Sequence, residues 1–230
     1  MLKKAVFVGA MCLAFTGVCL QAGTLVLGEP PKTGNCDPFG CPTFFGLGTY
    51  QQVYLNSAFP GAMTIDDLTF FQAINNGGTP ASGTFTLTFS YTSAAPGDLD
   101  LTNAANNIGA GSEGFFTGTL PAMTAEGNLD LLTFSGTPFV YDPADGNLLL
   151  TVTVTGSKNT TPYLYLDQAD STAVTSDAYF GAVNGGNDPG LVTAFEYTSP
   201  SGTATPEPAS LLLVLAGIGL IAYRRRSRAS

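Results

Sequence analysis

The chain predicts an all-β fold: an antiparallel two-sheet sandwich, jelly-roll-like, flanked by an N-terminal signal helix and a C-terminal apolar helix. Three observations carry this. Apolar residues alternate with threonine and serine at period two, as half-buried antiparallel strands require. Clusters of Gly, Asn, Asp and Pro punctuate the alternating segments at short intervals. The long uninterrupted apolar runs stand at the two ends.

The first 23 residues read MLKKAVFVGAMCLAFTGVCLQAG. Lys3 and Lys4 precede an apolar stretch from Ala5 to Leu20, and Ala22 and Gly23 follow. These are the basic, apolar and small-residue regions of a secretory signal peptide. Val18 stands before Cys19 where a lipoprotein signal wants Gly or Ala, so cleavage is expected near Ala22 or Gly23.

Residues 24–198 form the predicted sandwich. Two segments alternate most cleanly. GTFTLTFSY (83–91) puts Phe85, Leu87, Phe89 and Tyr91 on one face, with threonines and Ser90 on the other. NLLLTVTVTG (147–156) does the same with Leu148, Leu150, Val152 and Val154. Outward threonines add strand preference. Further strands fit 24–28, 49–56, 62–71, 114–120, 128–135, 161–167, 177–182 and 191–198. In AMTIDDLTFF (62–71) the apolar parity changes between Ile65 and Leu68, which predicts a bulge at Asp66 and Asp67. NNGGTP, APGD, DPADGN, TGSKN and NGGNDPG supply the turns. The segment LDLTNAANNIGAG (99–111) fits neither period and reads as a long loop or a helical turn. About ten strands so spaced suggest two packed sheets.

A linker over residues 199–205 joins the sandwich to Pro206, Glu207 and Pro208. Two prolines around one residue continue neither a helix nor a central strand. The apolar run 209–223 then spans about 22 Å as a helix. A hydrocarbon core is about 30 Å thick, so this helix is short for a permanent membrane span. Arg224, Arg225, Arg226 and Arg228 follow and would hold its end in the cytoplasm, a stop-transfer clamp.

PEPASLLLVLAGIGLIAYRRRSRAS (206–230) resembles the PEP-CTERM sorting signal of Gram-negative bacteria, with its Pro-Glu-Pro triplet, short apolar helix and arginine cluster in order. The resemblance implies export, recognition by an exosortase, and removal or transfer at the signal. It implies transient anchoring in the inner membrane and a final place at the cell surface or in an extracellular matrix, often one rich in exopolysaccharide. Its partners would be the secretion machinery and the exosortase-like membrane enzyme.

Charge agrees with export. Outside the terminal segments the cations are Lys32 and Lys158, whereas all of the 17 acids but Glu207 lie in the body, for a net charge of about −14 there. Such a surface repels phosphate, so nucleic acid is excluded as a partner. No His is present, which excludes Ser-His-Asp and Cys-His catalysis and His-ligated metals. Cys36 and Cys41 are the cysteines left once the signal, with Cys12 and Cys19, is removed. Four residues separate them, and an oxidising compartment predicts a disulfide contributing about 2 kcal/mol.

Candidate chemistry is thin. Asp66 with Asp67 and Asp98 with Asp100 are carboxylate pairs, as glycoside hydrolysis needs, but strand parity splays the first and turn residues surround the second. Asp142, Asp145 and Asn147, and Asn187 with Asp188, offer oxygens to Ca²⁺, yet ordinary turn chemistry explains both stretches. Neither a metal nor a cofactor is therefore expected. Tyr50, Tyr54, Tyr163 and Tyr165 could present ring faces to a sugar. The resulting expectation is an exported, non-catalytic surface or matrix protein. The alternative is a carbohydrate-binding module for exopolysaccharide, and a secreted hydrolase comes third.

Overall fold

The alternation read in the sequence becomes the centre of the fold. The computed structural model describes residues 20–28, 34–42, 48–73, 78–126 and 129–200. Thirteen strands occur among them: β1 (Leu20–Leu27), β2 (Gly34–Asn35), β3 (Thr49–Tyr54), β4 (Met63–Phe71), β5 (Ser82–Thr92), β6 (Glu113–Gly118), β7 (Thr124–Glu126), β8 (Leu129–Tyr141), β9 (Asn147–Lys158), β10 (Leu166–Asp167), β11 (Thr175–Phe180), β12 (Gly185–Pro189) and β13 (Thr193–Pro200). The register sets Phe85 opposite Val154, Leu87 opposite Val152, Phe89 opposite Leu150 and Tyr91 opposite Leu148. The two apolar faces of β5 and β9 are thus one continuous surface. All but the half-buried Tyr91 are buried.

β3, β5, β6, β9, β11 and β12 form a six-stranded sheet in the order β12-β11-β3-β9-β5-β6. A five-stranded sheet has the order β1-β13-β4-β8-β7, and β10 pairs with β2 in a separate ribbon. The inner faces of the two large sheets meet through aromatic contacts. Tyr54 meets Phe195 at 5.0 Å between ring centroids, and Phe89 meets Phe139 at 5.3 Å. Offset and edge-on geometries of this kind add to simple area burial. Residues Ala22–Ser199 form one compact unit.

Several local expectations hold, each for a visible reason. The bulge lies where parity changes: β4 carries one extra residue, Asp66, against β13, because Glu196 faces Asp67 while Tyr197 faces Ile65. Ile65 and Leu68 therefore both reach the core. The long loop contains a 3-10 turn at Ala104–Asn107. It lies over the outer face of the six-stranded sheet, where Leu99, Leu101 and Ala104 pack with Val53, Leu149, Ala178 and Phe180. Leu149 and Val53 thus belong to a second, smaller core on the face that alternation assigns to solvent.

Other expectations are corrected. NGGNDPG contributes a strand, β12, rather than only a turn. Gly186 sits at φ +132°, and a Cβ there would collide with the Ala178 backbone, so glycine lets β12 close on β11. Residues 161–167 alternate as expected, with Leu164 and Leu166 buried, but only Leu166–Asp167 forms a strand. Pro162 lacks the N–H a ladder needs. β1 begins at Leu20, so the last residues of the expected signal segment pair in the sheet, and β13 runs to Pro200, into the expected linker. Residues 1–19 and 201–230, which carry the rest of the signal and the sorting tail, lie outside the described residues. Among the described residues no helix is long and apolar enough to cross a membrane.

Candidate functional site

A cleft of about 500 Å³ opens where β11, β12, the β10-β2 ribbon and the disulfide loop converge. Three carboxylates line it: Asp37, Asp177 and Asp188. So do three tyrosines, Tyr163, Tyr165 and Tyr179, and two amides, Asn35 and Gln168. Its size falls within the usual range for small-molecule sites.

Each side chain arrives there by local structure. Cys36 and Cys41 are bonded, with Cα atoms 5.3 Å apart, as expected. Their loop is tight: the N–H groups of Gly40 and Cys41 both donate to the Cys36 carbonyl, at 2.6 and 3.1 Å. It turns two neighbours to different ends. Phe39 enters the core, 5.0 Å from Phe70 and 5.2 Å from Phe134, and Asp37 lines the cleft. On β11, period two sends Ala178 and Phe180 to the outer cluster and leaves Asp177 and Tyr179 on the cleft side. Asp188 lies opposite Asp177 on β12. Tyr163 and Tyr165 alternate with the buried Leu164 and Leu166.

Behind the cleft runs a buried polar chain. Asn35 Nδ2 donates to Asp177 Oδ2 at 3.2 Å, and Tyr50 Oη lies 3.4 Å from the same oxygen. Tyr50 Oη donates to Gln52 Oε1 at 2.7 Å. Gln52 Nε2 donates to the Leu191 carbonyl at 2.7 Å, and Gln52 Oε1 also accepts the Leu191 N–H at 3.0 Å. A phenol has one proton, so Gln52 Oε1 and Asp177 Oδ2 share the Tyr50 donor, the shorter contact holding it more strongly. Burial, reinforced by the negative charges of Asp188 and Asp37, raises the Asp177 pKa well above the usual carboxylate range, with hydrogen bonds from Tyr50 and Asn35 acting in the opposite sense. Burial also pushes Asp37 up to about 6. The Tyr50 phenol is raised by burial and then by the Asp177 charge.

The residues named from sequence divide sharply. Tyr163 and Tyr165 line the cleft, but Tyr50 and Tyr54 are fully buried and present no ring face to a ligand. Asp188 is in the cleft, whereas Asn187 turns away at φ +60° and clasps Leu99, accepting its N–H and donating to its carbonyl. Asp142 caps a 3-10 turn through the Ala144 N–H, and Asn147 bonds the Asn56 N–H and the Ala94 carbonyl. Asp145 is exposed in the same turn. Asp100 organises the covering loop, accepting from Thr102 and Asn106, and those bonds lower its pKa. Asp66 and Asp67 occupy the bulge. No group of three or more His, Cys, Asp or Glu side chains among the described residues is placed to hold a metal ion. Pro206, Glu207, Pro208, Arg224, Arg225, Arg226 and Arg228 lie outside the described residues.

Asp37, Asp177, Asn35, Gln168 and Tyr179 were not singled out by sequence. Asp177 and Tyr179 did carry a signal, being same-parity polar residues that alternate with Ala178 and Phe180. Asp37 carried a second one, as a charge enclosed by a disulfide loop.

Residues 204–228 match the PEP-CTERM protein-sorting motif. No curated protein and no solved structure matches the chain. The chain thus carries a C-terminal PEP-CTERM sorting motif, which implies export, C-terminal anchoring in a membrane before processing, and sorting by an exosortase.

Proposed function

We propose that this protein is a non-catalytic component of the cell surface or extracellular matrix whose β-sandwich binds saccharide in the Asp177 cleft without a cofactor. The observation that carries the reading is the lining itself. Tyr163, Tyr165 and Tyr179 offer ring faces, while Asn35, Gln168 and the carboxylates offer hydrogen-bonding groups at the same opening. Rings with a few converging polar groups are what a sugar, apolar on its faces and polar at its rim, requires. The fold is consistent with this. The four-strand orders β1-β13-β4-β8 and β3-β9-β5-β6 support a jelly roll with the β11-β12 hairpin added on one edge, and jelly rolls include lectins. Likeness of architecture alone carries little functional weight.

The test is a glycan array probed with the protein recovered from the exporting cell, repeated with Tyr165→Ala. Selective retention of a saccharide by the native protein, weakened by the substitution, is expected. An array with no selective signal would refute the reading.

A second reading, glycoside hydrolysis, is favoured by one observation: Asp177, held toward its acid form, shares the cleft with Asp188. Such enzymes pair a protonated with an ionised carboxyl group. Release of new reducing ends from the array's best ligand, abolished in Asp177→Asn, would replace binding with catalysis.

A further inference from the structure

We infer that the saccharide this cleft accepts is cationic, a run of hexosamine units with free amino groups rather than N-acetyl groups. The inference rests on the saccharide-binding reading above and adds the charge of the ligand.

Asp37 is the first ground. It is 5% exposed, yet its carboxyl receives no hydrogen bond from an N–H or O–H of the described residues. Cys41 Sγ lies 3.5 Å from Asp37 Oδ1, but that sulfur is bonded to Cys36 and carries no proton to donate. Its backbone N–H is already satisfied by Asn35 Oδ1 at 2.9 Å. A nearly enclosed carboxyl lining a cleft with no N–H or O–H donor among the described residues is placed to take one from a ligand.

The second ground is the balance of charge. Asp177 and Asp188 share the cleft with Asp37, and both act on Asp177 through space. Neither lysine nor arginine is among the described lining residues. A neutral N-acetylated sugar would leave those repulsions in place. An ammonium group offers three N–H donors and a positive charge, so it answers both the missing donor and the repulsion. The three tyrosines suit it as well, since a cation is attracted to the face of an aromatic ring. A metal ion is the poorer candidate, because the described acidic groups do not converge on one point as coordination demands.

The experiment is titration calorimetry on the protein recovered from the exporting cell, with three probes: a glucosamine hexamer, an N-acetylglucosamine hexamer and hexalysine. The glucosamine hexamer is expected to bind at least tenfold more tightly than either of the others. Asp37→Asn should remove most of that preference, weakening the glucosamine hexamer at least tenfold more than the N-acetylated one. Asp188→Asn, at an exposed position with little risk to folding, should reduce it severalfold, and added salt should weaken it further. Equal affinity for the two hexamers would overturn the charge inference and leave saccharide binding standing. Hexalysine binding as tightly as the glucosamine hexamer would make the ligand a basic peptide and overturn the amino-sugar assignment. Binding of neither hexamer, with the fold verified by thermal melting, would overturn this inference, and an array empty of selective signal would overturn the saccharide reading as well.

Discussion

Asp37 and Asp177 hold protons more tightly in the folded chain than in the unfolded one, and the consequence for stability has a definite sign. Asp37 is pushed up to about 6 by burial, as is Asp167, and Asp177 is raised well above the usual range by burial and then by its acidic neighbours. A carboxyl whose folded pKa exceeds its unfolded value stabilises the fold at low pH, and that contribution is lost as pH rises through the folded value. Stability should therefore fall between about pH 4 and pH 6 and stay lower above it. Asp100 works in the opposite sense, since hydrogen bonds from Asn106 and Thr102 lower its pKa, but its window lies below the ordinary carboxylate range. The expected result is a higher melting temperature at pH 5 than at pH 7.5. Asp37→Asn should raise the melting temperature at pH 7.5 by roughly 6–12 °C, because holding this carboxyl near 6 instead of at its ordinary value costs about 3 kcal/mol at neutral pH and each kcal/mol moves a domain of this size about 2–4 °C. At pH 4 it should change little. A flat pH profile in the native protein would show that these carboxyls are not desolvated as the structure places them.

The disulfide loop is the element on which core and cleft both depend. Phe39 packs among Phe70, Phe85 and Phe134, and its carbonyl accepts the Ala81 N–H at 2.7 Å, while Asp37 two residues earlier lines the cleft. Phe39→Ala should cost about 3–5 kcal/mol as a buried aromatic cavity. Replacing both Cys36 and Cys41 with Ser should cost less, about 2 kcal/mol for so short a loop. Ligand affinity should follow the reverse order. The Ser pair frees Asp37 and should weaken binding more than tenfold, whereas Phe39→Ala acts mainly on stability. Chemical denaturation and calorimetry on the same two variants check this, and parallel losses in both measures would mean the loop acts only as packing.

Much at this scale was legible in the sequence. Period two in 83–91 and 147–156 named the inward residues of β5 and β9, and the parity change in 62–71 located the bulge. What stayed hidden depends on non-local pairing. Nothing local tells NGGNDPG that β11 lies beside it, or tells Tyr50 and Tyr54 that they face the sheet opposite. Alternation reports which residues share a face but not which faces meet, so Asp37 and Asp177, 140 positions apart, could not be joined before the fold was known.

At the scale of the whole molecule, the compact unit and the sorting tail have separate jobs, and the join between them is where function can be cut. Ala22–Ser199 forms its own compact unit, while the motif spans residues 204–228. Replacing Arg224, Arg225, Arg226 and Arg228 with Ala should disturb membrane retention and leave the melting temperature of the folded body within about 1 °C. The sharper prediction concerns Pro206, Glu207 and Pro208. Two prolines around one residue distinguish the triplet from the sequence on either side of it. Glu207 is the only acidic residue after Glu196 and so marks the triplet electrostatically, apart from the arginines that follow. Changing both Pro206 and Pro208 to Ala removes the two residues that interrupt regular backbone hydrogen bonding at the triplet. That double variant should still be exported, because residues 1–23 are unchanged. It should then remain cell-associated with its tail uncut, which mass spectrometry of the C-terminus reads directly. A double variant processed and released like the native protein would reduce the triplet to a spacer and shift recognition to the apolar run and its arginines.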